Sequence, residues 1–108
     1  MEITSSKKYT TFTAIDNFDS FVEQFNTVFP EYKHQNIVLN LADINVTEDK
    51  IQSLQTYATQ QAVNKQSFVI IIPSFDADAF EEELNVVPTL TEAEDLIDMD
   101  EISRDLGF

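Results

Sequence analysis

Residues 36–50, Asn-Ile-Val-Leu-Asn-Leu-Ala-Asp-Ile-Asn-Val-Thr-Glu-Asp-Lys, pass from a strand through a loop into a helix. Ile37-Val-Leu-Asn-Leu41 is almost continuously apolar, as a central strand covered on both faces requires. Thr47 is a helix-capping type, and Glu48 and Asp49 follow it where the positive end of a helix favours carboxylates. Ile51, Leu54, Ala58 and Ala62 then recur at helical spacing and define an inward face. Asp43, at the end of the strand, reads as a side-chain cap of the strand–loop turn rather than as a catalytic acid.

The flanking segments repeat this grammar. Downstream, Phe68-Val-Ile-Ile-Ile72 is a second buried strand, stopped by Pro73. Upstream, residues 2–15 are rich in strand-forming Thr, Ile, Tyr and Phe. The polar Ser5-Ser-Lys-Lys8 interrupts them and predicts a short hairpin, with one long edge strand as the alternative. Asp16 and Asn17 offer caps for a helix whose Phe18, Phe21, Val22, Phe25, Val28 and Phe29 form a wide apolar stripe, and Pro30 is expected to end it. Such a stripe packs a core far more often than it lines a ligand pocket. Asp76–Leu84 reads as a short helix and Val86-Val87 as a brief strand. Thr91-Glu-Ala-Glu94 has capping-box spacing and opens an acidic helical segment over 91–108, with Ala93, Leu96 and Ile97 inward and Gly107 at its close. Strands alternating with helices predict one α/β domain over 1–108, a mostly parallel central sheet of about 4–5 strands with about four helices.

Charge narrows the partners. The chain carries 20 acidic and 6 basic residues, a formal charge of −14. Twelve of the acids and one base, Arg104, lie from Asp76 onward. Phosphate backbones and anionic membranes are repelled by such a surface, so neither nucleic acid nor membrane is an expected partner. A protein partner with a basic surface is compatible with it. No segment approaches the roughly 20 apolar residues of a membrane span, and MEITSSKKYTTF lacks the apolar core of a secretory signal. A cytoplasmic location is therefore the expectation.

The order of elements together with Ile37-Val-Leu-Asn-Leu-Ala-Asp-Ile44 resembles the STAS domain of anti-sigma-factor antagonists and sulphate-transporter tails. In that family a similar strand leads into a loop bearing an Asp and a phosphorylatable Ser, followed by a helix. Phe68–Ile72 and Val86-Val-Pro-Thr-Leu-Thr-Glu-Ala93 are similar to later elements of the family, so the resemblance spans roughly residues 3–97. It implies a regulatory module that works by protein contact through the loop and helix start, here Asp43, Asn45, Thr47, Glu48 and Asp49. The chain departs from the pattern at the switch itself. Glu48 and Asp49 stand where the family's Asp and phosphoacceptor Ser fall, so a carboxylate occupies the position that phosphate would charge. Thr47 is the nearest hydroxyl, two residues early, and its capping role accounts for it without a kinase.

Pro88-Thr-Leu-Thr-Glu-Ala-Glu-Asp95 and Arg104-Asp-Leu-Gly107 are also similar to small acidic chains that carry the label ribonuclease Z. That enzyme family needs an HxHxDH motif and further ligands for two zinc ions, whereas this chain has the single His34, between Lys33 and Gln35. With no Cys, thiolate metal sites and Cys nucleophiles are also excluded. The only Gly is Gly107, so Gly-rich phosphate cradles and a Gly-x-Ser-x-Gly elbow are absent. Asp76-Ala-Asp78 begins like a calcium loop but places Phe80 and Glu81 where a ligand and a Gly belong. The acidic runs Glu81–Glu83 and Asp98–Glu101 read as solvated faces.

The expectation is a non-catalytic protein without cofactor or metal, monomeric or weakly dimeric. The C-terminal segment, with Met99, Ile102, Arg104, Leu106 and Phe108 amid acids, is a second candidate partner-binding surface, unless it folds back on the sheet. An accessory subunit or acidic antagonist of a nucleic-acid enzyme, such as a ribonuclease, is the alternative to a regulatory module.

Overall fold

The computed structural model describes residues 1–73 and 84–107. Its described elements are β1 (Glu2–Ser5), β2 (Thr10–Thr13), α1 (Phe18–Tyr32), β3 (Ile37–Asn40), α2 (Glu48–Gln52), α3 (Gln55–Val63), β4 (Phe68–Ile71), β5 (Asn85–Val87) and α4 (Leu90–Asp105). The five strands form one sheet in chain order, β1-β2-β3-β4-β5. β1 and β2 make the antiparallel hairpin, whereas the β2–β3, β3–β4 and β4–β5 pairs are parallel. The expected mostly parallel sheet is thus corrected to a mixed one: the turn at Ser6–Tyr9 is too short for a crossover, so β2 has to return antiparallel to β1.

Alternation along each strand sorts the side chains into two cores. Phe12, Ile37, Leu39, Phe68, Ile70 and Val86 face α1, α2 and α3, which contribute Phe18, Phe21, Phe25, Phe29, Ile51, Leu54 and Ala58. Val38, Val69 and Ile71 face the other way, against Ala93 and Ile97 of α4, with Tyr9, Val87 and Leu96 packed alongside. The C-terminal helix therefore folds back onto its own sheet, and β3 and β4 are buried on both faces.

Phe25 is the hub of the larger core. Its ring lies 5.0 Å from Phe12, 4.9 Å from Tyr57, 5.6 Å from Phe29, 6.1 Å from Phe21 and 6.4 Å from Phe68.

Several local expectations are revised. α1 does not end at Pro30 but runs through it to Tyr32. Near a helix end Pro forfeits one backbone bond, and the packing of Phe29 and Tyr32 on the core outweighs that loss. The helix expected to run on from Thr47 is broken at Ser53–Leu54 into α2 and α3. The break shifts the helical phase, so Gln61 is buried in place of Ala62. α4 is capped by Thr89, whose hydroxyl accepts from Glu92 N at 3.2 Å, and not by Thr91. Two Thr-x-x-Glu frames overlap here, and the earlier one wins, leaving Glu94 for another partner. The helix expected over Asp76–Leu84, with the acids of Glu81–Glu83, lies outside the described residues apart from the buried Leu84. No helix among the described residues is long and apolar enough to cross a membrane.

Candidate interaction site

The register that pairs Thr13 with Asn40, with Ala14 N donating to Asn40 O at 3.0 Å, makes the loops after β2 and β3 leave the sheet side by side. The β3 loop closes on Asn40, whose Oδ1 accepts from Ala42 N at 3.1 Å. The turn cap assigned above to Asp43 therefore belongs to Asn40, and Asp43 stands exposed. Ile44 and Val46 turn inward against the larger core, which pins the loop at alternate residues and leaves Asp43, Asn45 and Thr47 facing water. Thr47 Oγ1 accepts from Lys50 N at 3.3 Å, so the hydroxyl is an N-cap, and Glu48 and Asp49 are exposed in the first turn of α2.

The structure thus brings Asp43, Asn45, Thr47, Glu48 and Asp49 together on one exposed face. The neighbouring loop adds what the sequence reading did not assign to a site: exposed Ile15, Asp16 and Asp19. Lys50 is the one cation there, 3.6 Å from Asp19 and 5.8 Å from the Phe18 ring centroid. An ion pair this exposed contributes little stability, so its effect is to join the α1 and α2 starts into one acidic patch around Ile15. Replacing Thr47 by Ala is expected to cost about 1 kcal/mol, read as a lower urea midpoint at unchanged slope.

The second candidate surface divides. Met99, Ile102 and Leu106 are 68%, 59% and 64% exposed and share the outward face of α4, opposite Ala93 and Ile97. Asp95 and Asp105 are exposed on the same helix, and Asp98 Oδ1 accepts from Lys8 Nζ at 2.9 Å. Arg104 does not belong to this stripe. It is half-buried on the inner side, where Nη1 and Nη2 lie 3.4 Å from Ser67 Oγ and Asn36 Oδ1. Phe108 lies outside the described residues.

α4 is tied to the hairpin by a second polar contact, from Tyr9 OH to Glu94 Oε1. Burial first, and then that hydrogen bond, push the Tyr9 phenol up to about 12. An unfolded chain ionises tyrosine near pH 10, so the folded state holds this proton longer. The resulting stabilisation is complete below about pH 10 and is lost as pH rises toward 12. Ultraviolet titration should show one phenol with a midpoint near 12 that disappears in Tyr9→Phe.

The described residues contain no group of three or more His, Asp or Glu side chains placed to hold a metal ion. No protein-family model matches the chain, and no curated protein sequence is similar to it.

Proposed function

We propose that this chain is a non-catalytic, cytoplasmic, STAS-like regulatory module that acts by binding another protein. The observation that carries the reading is the acidic face at the carboxyl end of β3. There Asp43, Asn45, Glu48 and Asp49 are held on a loop pinned by Ile44 and Val46 and capped by Thr47. A hairpin followed by parallel strands in chain order, with helices between β2 and β3 and between β3 and β4, supports the same comparison at the level of element order. A preorganised loop loses little entropy on binding, and a carboxylate at the family's switch position makes this face constitutively charged. The partner contact therefore needs no kinase.

The alternative reading, an accessory subunit or acidic antagonist seated on a basic site of a nucleic-acid enzyme, is favoured by the Met99, Ile102 and Leu106 stripe among acids on α4. The two are separated by capture from native cytosol with three baits: the intact chain, Asp43→Asn/Glu48→Gln/Asp49→Asn, and Met99→Ser/Ile102→Ser/Leu106→Ser. The module reading expects a stoichiometric partner that survives high salt and is lost only with the loop variant. Loss with the stripe variant, steep weakening by salt and competition by RNA would transfer the function to α4. Absence of any stoichiometric partner at either salt would sink both.

A further inference from the structure

Charge is sorted by position in this molecule. Five of its six cations, Lys7, Lys8, Lys33, Lys65 and Arg104, gather at the edge where β2, β3 and β4 begin, and only Lys50 lies at the other. At that first edge, between α3 and α4, is a cavity of about 480 Å³ lined by Lys65, Gln66, Ser67, Asn85, Asp100 and Arg104 over an apolar wall of Ala58, Ala62 and Phe68.

The only Arg of this acid-rich chain has no carboxylate within ion-pair distance among the described residues. Of the acids on α4, Asp105 beside it is exposed, and Asp100 and Glu101 bond the same Ser67 and Asn36 side chains that Arg104 reaches, without pairing with the guanidinium itself. Asp98 holds Lys8, Asp100 accepts from Ser67 Oγ at 2.7 Å, and Glu101 accepts from Asn36 Nδ2 at 2.9 Å. The two hydrogen bonds Arg104 makes among the described residues are long, at 3.4 Å, and with those residues most of its five donors stay uncommitted.

Lys65 is the second anomaly. α3 ends in a Schellman motif, with Gln66 N donating to Gln61 O and Lys65 N to Ala62 O. The motif puts Lys65 at φ 59, in the left-handed region where Gly is the usual residue. A cation is held at a strained position on the rim of the cavity that Arg104 enters. Non-Gly residues held in the left-handed region cluster at active sites and ligand clamps.

We propose that this cavity binds a small molecule through an oxyanion group, carboxylate or phosphate, clamped by Arg104 and Lys65 with the ligand's apolar part against Ala58, Ala62 and Phe68. A guanidinium with free donors matches either group bidentately, and the ammonium adds a point charge. The site lies at the opposite end of the sheet from the Asp43–Asp49 face and does not depend on the function proposed for it.

The test is a nitrogen–proton NMR titration of the labelled full chain at constant ionic strength, with inorganic phosphate in one arm and butyrate in the other. Saturable shifts are expected at Lys65, Gln66, Ser67 and the Arg104 side chain, with millimolar affinity, about what one charged clamp supplies. The arm that binds more tightly identifies the group. Arg104→Gln should weaken binding about tenfold, as loss of a bidentate charged contact does, and Arg104→Lys should fall between. Lys65→Gly should weaken binding while raising the thermal midpoint, because Gly relieves the left-handed strain. A purely structural Lys65 would not produce that opposition. Shifts that do not saturate, or that persist unchanged in Arg104→Gln, would overturn the proposal.

Discussion

Truncation of Phe25 to alanine is expected to destabilise the protein by about 3–5 kcal/mol, the range for an aromatic removed from a well-packed core. Phe25 is fully buried, and five aromatic rings converge on it from α1, α3, β2 and β4. Edge-to-face contacts such as those with Phe12 and Tyr57 contribute beyond the area buried. Because the rings belong to four elements, no single side-chain movement can close the void. Domains of this size are stable by only about 5–15 kcal/mol, so the variant should unfold at a much lower urea concentration. Val63→Ala, on α3 but 78% exposed, should stay within about 0.5 kcal/mol of the parent. Equal effects of the two substitutions would mean that the aromatic hub is not the core.

The second large effect is expected at Asn36, where an amide takes the place of several missing partners. Its Nδ2 donates to Lys8 O and Glu101 Oε1, both at 2.9 Å, and its Oδ1 accepts from Ser67 N at 2.8 Å. One buried side chain thus joins the hairpin turn, β3, the start of β4 and α4. Asn36→Ala leaves the buried Ser67 N–H without its acceptor and frees Lys8 O and Glu101. An unmade buried bond costs about 1–3 kcal/mol, so the sum should reach about 2–4 kcal/mol. Asn36→Asp keeps the acceptor for Ser67 N but sets a carboxylate against Glu101 and Lys8 O. Pairing it with Glu101→Gln should restore part of the loss, whereas independent sites would simply add. Urea midpoints of the four chains decide between these outcomes.

The parts of the fold legible in the sequence are those governed by local periodicity. The continuous apolar runs at 37–41 and 68–72 and the Phe stripe from Phe18 to Phe29 state their burial directly, because strand and helix spacing map onto a face. The cap at Thr47 was legible because a single candidate existed, whereas at α1 Asp16 and Asn17 were both open and the structure uses Asn17. At α4 two equivalent Thr-x-x-Glu frames competed, and the Tyr9–Glu94 contact that accompanies the observed frame spans 85 residues. The inward turn of Arg104 was hidden for a similar reason: Asn36 and Ser67 are 68 and 37 residues away in sequence. At the candidate face the capping of Thr47 was readable in the sequence, whereas Asp43 was read as the turn cap that Asn40 supplies. The extension of the face to Ile15, Asp16 and Asp19 depends on the β2–β3 register, which no local pattern encodes.

Among the described residues the two ends of the sheet also differ in charge: Asp16, Asp19, Asp43, Glu48 and Asp49 meet Lys50 alone at one, while five cations offset the acids at the other. Approaching a positively charged surface, such a body experiences a torque before any contact forms, and it turns its Asp43–Asp49 end forward. Encounter is then biased toward one orientation while the partner is still about a Debye length away. Association would be both faster and less prone to wrong-way collisions than the overall charge alone predicts.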